Sequence, residues 1–167
     1  MTKSRLPFED TFTKEQLATV GLLTVSAANS EAGLFFQALR FHGPKPPTAA
    51  IQTLSGQELR VRLQGIRNMT EMRCGKQPSE KVRKATENVQ KAFERRHLFA
   101  HAMICAAPTK SGTLLVMTPK VGATFPQAQE WRLEQIVEAA AAIHQSVVDL
   151  EDCLTEIGIP LLPPPSD

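Results

Sequence analysis

The segment Gly43-Pro44-Lys45-Pro46-Pro47 constrains the fold most, because three prolines and a glycine in five residues cannot continue a helix. Before it, Leu17, Val20, Leu23, Leu34, Phe35, Ala38 and Leu39 recur at helical spacing, with Thr13 as an N-cap and Gln16 as its capping-box partner. This predicts a helix from Thr13 to about Phe41, in which Gly21 and Gly33 let a neighbouring helix approach closely. After it, Thr48 opens a second helical region with Ile51, Leu54, Leu59, Leu63 and Ile66 apolar. Ser55-Gly56 splits that region into a short piece and a longer one ending near Arg73.

The same punctuation organises the rest of the chain. Gly75-Lys76-Gln77-Pro78 reads as a turn, and Ser79 as the start of a third long helix. Pro108-Thr109-Lys110-Ser111-Gly112 is a turn sequence and Thr113-Leu114-Leu115-Val116-Met117 is β-prone, so Ala102 to Lys120 is expected to hold a helix end, then a small hairpin or extended connection. A last helix is expected over about residues 127–157, with Trp131, Ile136, Val137, Ala140, Ile143, Val147, Leu150 and Leu154 on one face, closed by Gly158 and Pro160. Residues 1–12 read as an N-terminal arm, 13–158 as one helical domain, and 159–167 as a proline-rich tail. The expected fold is all-α: an antiparallel four- to five-helix bundle with a short β-hairpin or extended segment before the last helix.

A chain of 167 residues can bury a single core without disulfide or metal support. Nineteen Lys and Arg against 17 Asp and Glu give a net charge of +2, which implies no general attraction for nucleic acid or anionic lipid. Any RNA or phosphate contact must then come from a local cluster. Cys74, Cys105 and Cys153 are odd in number and form no CxxC pair, which suits neither a disulfide framework nor a zinc site and fits a reducing cytoplasm. No run of about 18 apolar residues occurs and Met1 to Pro7 leads into no apolar signal segment, so no membrane association is expected. There is no Gly-rich phosphate loop, nucleophile elbow or paired-carboxylate signature, and no cofactor is implied.

Chemistry concentrates in the run Glu94-Arg95-Arg96-His97-Leu98-Phe99-Ala100-His101-Ala102. On a helical wheel with Val82 at zero, Ala85, Val89, Phe93, Phe99, Ala100, Met103 and Ile104 fall between about −100° and +40°. Arg96 falls at about −40°, inside this stripe, whereas Arg95 falls at about −140° and faces away. His97 and His101 lie on its margin, at about +60° and +100°. A guanidinium inside an apolar stripe needs a partner. The plain reading is a tether to Glu31 or Glu138 of another helix. The chemical reading is a cleft in which the guanidinium grips a phosphate while an imidazole, which titrates near neutrality, exchanges a proton.

Arginine, four residues, then histidine in a long helix of a small helical protein resembles the HEPN domain family. The motif is Arg96 to His101, with His97 in the polar slot after the arginine where the family more often has asparagine. The resemblance implies a metal-independent endoribonuclease with Arg96 and His101 as catalytic pair and His97 assisting. It also implies a homodimer whose motif helices face each other, and an antitoxin-like partner protein. Arg96 and His101 are about 140° apart on one helix, so a groove between two copies can receive both where a single neighbouring helix cannot.

Arg95, Arg60 and Arg67, with Arg62 and Arg73, are candidate RNA-backbone contacts, although such residues usually form a solvated face. His97, His101 and Cys105 at i, i+4 and i+8 could line one helix face as metal ligands, yet no fourth ligand is apparent and no metal is expected. With a single Trp and no Tyr, no base-stacking platform is evident. Two readings stay open beside the nuclease: a non-catalytic nucleotide-binding, RNA-binding or dimerisation module of the same fold, and a helical regulator unrelated to it.

Overall fold

The structure, a computed structural model, describes residues 12–106, 112–118 and 127–162. Most of these are helical: α1 (Lys14–Leu39) with a 3-10 turn at Arg40–His42, α2 (Thr48–Ser55), α3 (Leu59–Cys74), α4 (Lys76–His101) and α5 (Leu133–Glu156). Strands β1 (Met103–Ala106), β2 (Thr113–Thr118) and β3 (Gln127–Arg132) form an antiparallel sheet in the order β1-β2-β3. Residues 1–11, which make up all but the last residue of the expected N-terminal arm, and residues 107–111, 119–126 and 163–167 lie outside the described residues.

Breakers fall where the sequence places them. The Thr13 amide donates to Gln16 Oε1 at 2.8 Å and the Gln16 amide to Thr13 Oγ1 at 3.1 Å, a complete capping box. Gly43 and Gly75 take φ of 84° and 79° after the 3-10 turn and α3, a conformation that glycine adopts without strain. Helix α4 begins at Lys76, three residues before the expected start at Ser79. Pro78 is tolerated because it lies in the first turn, where amides have no intrahelical acceptor.

The chain divides into two compact units, one comprising residues up to Ser26 with Glu94–Ala141, the other Ala27–Phe93 with the chain from Ala142 onward. In the first unit Leu114 and Val116, alternating on the central strand β2, are buried together with Leu23, Phe99, Leu133 and Ile136. Gln16 Nε2 donates to the Thr113 carbonyl at 2.9 Å, tying the start of α1 to β2. In the second unit Leu34, Leu63, Ile66, Val82, Val89, Ile143, Leu150 and Leu154 are buried. Gly33 has the close neighbour its position suggests: a Cβ there would meet Val147 Cγ1 at 3.3 Å. Gly21 does not, since nothing lies within 4 Å of its would-be Cβ.

Two expectations change. The all-α reading is amended by a sheet of three strands rather than a hairpin. The last helix does not begin at residue 127: Gln127–Arg132 pairs with β2, Leu114 opposite Trp131 and Val116 opposite Gln129. No residue of that segment forbids helix, but pairing with an apolar central strand overrides local propensity.

Candidate functional site

The last turns of α4 hold the motif. Its apolar stripe is real over Val82, Ala85, Val89, Phe93 and Phe99, all buried. The stripe stops there, because Ala100 is exposed and Met103 and Ile104 belong to β1. Phe99 anchors the end of the helix within its unit, meeting Trp131 of β3 edge-on at 5.1 Å between ring centroids. Arg96, three residues before Phe99 and three after Phe93, is half-buried as the wheel predicts, and Arg95 is exposed. His97 is exposed, and neither Arg96 nor His97 is without an interaction partner. His101 is the last residue of α4, and its side chain lies outside the described residues. Helix α4 thus places Arg95, Arg96 and His97 at consecutive positions in its last two turns. Beside them, Leu98 with Val116, Thr118, Gln127, Gln129 and Trp131 lines a hollow of about 90 Å³.

The row of three metal-ligand candidates does not form. The helix ends at His101 and Cys105 lies on β1, so the i+8 relation that would stack it under His97 is lost. Among the described residues no group of three or more His, Cys, Asp or Glu is placed to hold a metal.

The basic residues of α3 differ in what their side chains meet. Arg60 and Arg73 are exposed. Arg67 is half-buried and its Nε donates to Thr86 Oγ1 at 2.6 Å. Arg62 is 8% exposed, with Nη1 donating to the Glu31 carbonyl at 3.1 Å and Nη2 to the Leu54 and Gln57 carbonyls at 3.0 and 3.1 Å. Its guanidinium lies 5.9 Å from the Phe35 ring centroid. Arg73 donates to the Phe41 carbonyl and sits over the Phe41 ring.

Sequence reasoning missed Arg40, which is 3% exposed. It gathers the end of α5, donating from Nε to the Pro160 carbonyl at 3.0 Å, from Nη2 to Thr155 Oγ1 at 3.0 Å and to the Ile159 carbonyl, and from Nη1 to the Glu151 carbonyl at 3.5 Å. Burial lowers the pKa of both Arg40 and Arg62, and the negative charges of Glu151 and Glu31 respectively oppose the shift. Arg40 serves the carbonyls of Ile159 and Pro160 beyond α5, and Arg62 those of Leu54 and Gln57 where α2 ends. The signal available in sequence was only their position beside apolar residues at helix boundaries.

Two larger hollows lie in the second unit. One, of about 450 Å³, lies along α2 and α3 and includes Arg62 and Gly65. The other, of about 690 Å³, is walled by Phe35, Phe36, Ile51 and Leu161 and includes Arg40 and Glu151. Among the described residues no helix is long and apolar enough to cross a membrane. No protein-family model, curated protein or solved structure matches this chain.

Proposed function

We propose that the chain is a HEPN-like endoribonuclease of the cytoplasm, its helices forming an antiparallel bundle and its active site lying in a homodimer cleft. The observation that carries this reading is the half-buried Arg96, next in sequence to the exposed His97 in the last turns of α4. His101 takes the proton of a ribose 2′-hydroxyl, and O2′ attacks the adjacent phosphorus. Arg96 binds the non-bridging oxygens as charge develops on them. The P–O5′ bond breaks, His97 or the partner copy's imidazole protonates O5′, and a 2′,3′-cyclic phosphate remains. Guanidinium and imidazole suffice for the charge and proton roles, so the reaction is expected to proceed without added metal. Homodimerisation is supported by Ala18, Leu22 and Val25 at i, i+4 and i+7 of α1, all exposed in the unit that holds the motif. An antitoxin-like protein is a further partner on this reading.

The test incubates purified protein with total RNA in the presence of chelator. Wild type should cleave, and Arg96→Ala and His101→Ala should each lose activity by roughly 10²-fold or more. Equal cleavage by all three, or none by any, defeats the proposal.

A second reading, a non-catalytic binding or dimerisation module of the same fold, is favoured by one observation. Arg62, Arg67 and Arg73 are engaged by the protein's own oxygens, which leaves less basic surface for RNA than the composition suggests. On that reading Arg96→Ala costs several kcal/mol of stability and changes no RNA-cleaving activity.

A further inference from the structure

Helix α2 is incompletely packed: it has eight residues and none of them is fully buried. Its Ala50 and Leu54 line a 450 Å³ cleft together with Ile66 and Met69 of α3, and Ala38 and Phe41 add to the apolar lining. A cleft of this size falls in the range of small-molecule sites, roughly 300–1,000 Å³.

Gly65 sharpens the point. A glycine inside a helix destabilises it relative to alanine, and the usual compensation is close approach of a neighbour, as Gly33 shows against Val147. Gly65 has no such neighbour: a Cβ there meets nothing within 4 Å, and the residue lines the cleft. The missing side chain leaves room along α3.

Three residues earlier on α3, Arg62 also lines the cleft. Its Nη atoms are committed to three carbonyls, while Nε is buried with no hydrogen-bond partner. A buried N–H without an acceptor is costly, and here it belongs to a cation balanced by carbonyl dipoles and, through space, by Glu31. One spare donor on a charged group suits one oxygen of a monoanion. A phosphate would demand several donors, and a neutral oxygen would leave the charge without further compensation.

We propose that this cleft binds a small amphipathic carboxylate, its chain against Leu54, Ile66 and Met69 and its carboxylate accepting from Arg62 Nε–H, a covered donor that the entering ligand uncovers. The site is independent of the RNA-cleaving reading and stands or falls without it.

Octanoate, 1-octanol and acetate, titrated into the full chain by calorimetry and thermal shift, test it. Octanoate should raise Tm in a concentration-dependent manner, octanol should bind at least tenfold more weakly, and acetate should have no effect. Gly65→Leu should keep the far-UV spectrum and melt no lower than wild type, because leucine is the better helix former, yet lose octanoate affinity by tenfold or more. Gly21→Leu, at an exposed glycine that does not line the cleft, should bind as wild type does. In the wild-type protein octanoate should shift the Gly65 and Thr53 amide resonances, a readout that requires no variant to fold. No binding at millimolar octanoate, equal binding of octanol, unchanged affinity in folded Gly65→Leu, or resonance shifts confined to other residues would each overturn the proposal.

Discussion

The two units fasten their helix ends with different chemistry. In the first, neutral amides cap helix starts: Gln16 closes the box at α1, and Gln135 Oε1 accepts from the Arg132 amide at 2.9 Å at the start of α5. In the second, buried guanidiniums close helix ends, Arg40 on the carbonyls after α5 and Arg62 on those after α2. An amide side chain loses little on partial burial, whereas a guanidinium must replace its water with several acceptors at once. The difference teaches that an inward arginine in this chain is not in itself a mark of an anion site. Arg40 and Arg62 are more deeply buried than Arg96, and both are occupied with carbonyls.

The largest expected effect is at Arg40. Arg40→Met keeps an apolar stem but strands the Ile159 and Pro160 carbonyls, and should destabilise the protein by about 3–5 kcal/mol in chemical denaturation. The half-buried Arg96, changed to Met, should cost about 1 kcal/mol, because its site remains partly in water. Equal losses would erase the distinction between a fastening arginine and a functional one, and would favour the non-catalytic reading. Arg62→Met comes next, at about 2–3 kcal/mol, and should show first as faster amide exchange in α2. A uniform change across the second unit, with α2 no different from its neighbours, would mean that Arg62 holds more than the end of one short helix. On the neutral side of the comparison, Thr13→Ala removes an acceptor for the Gln16 amide and should cost about 1 kcal/mol.

Much of this arrangement was legible in the residues. The capping box at Thr13, the break at Gly43–Pro47 and the split at Ser55-Gly56 are local, and local rules predicted them. The half-burial of Arg96 and the exposure of Arg95 follow from helical period alone. What sequence could not supply was non-local. Gln127–Arg132 became a strand because Leu114 and Val116 needed a partner, and nothing inside that segment announces the fact. Arg62 and Arg73 read as a basic face because their acceptors are backbone carbonyls of other elements, which carry no signature in side-chain type. Gly65 gives no signal in the sequence, and its meaning depends on the open space beside it.

The smallest effect tests the comparison from its exposed end. Arg83 has more carboxylate contacts than any other arginine among the described ion pairs, with Glu80 and with Glu87 at 2.5 Å, yet all three side chains lie on the surface of α4. Hydrogen bonding to Arg83, before its charge and that of Lys84, holds the Glu80 carboxyl below the ordinary carboxylate range. A depressed folded-state pKa contributes stability that is fully present above the unfolded value and disappears as pH falls through the folded one. The contribution of Glu80 should therefore be intact at neutral pH and fade only in acid, below the usual carboxylate titration. Because the pair is fully solvated, Glu80→Gln should leave Tm at neutral pH nearly unchanged, and high salt should shrink any difference further. A loss in Glu80→Gln matching that of Arg40→Met would show that charge pairing on the surface, not carbonyl capture in the interior, is what arginine chiefly contributes to this fold.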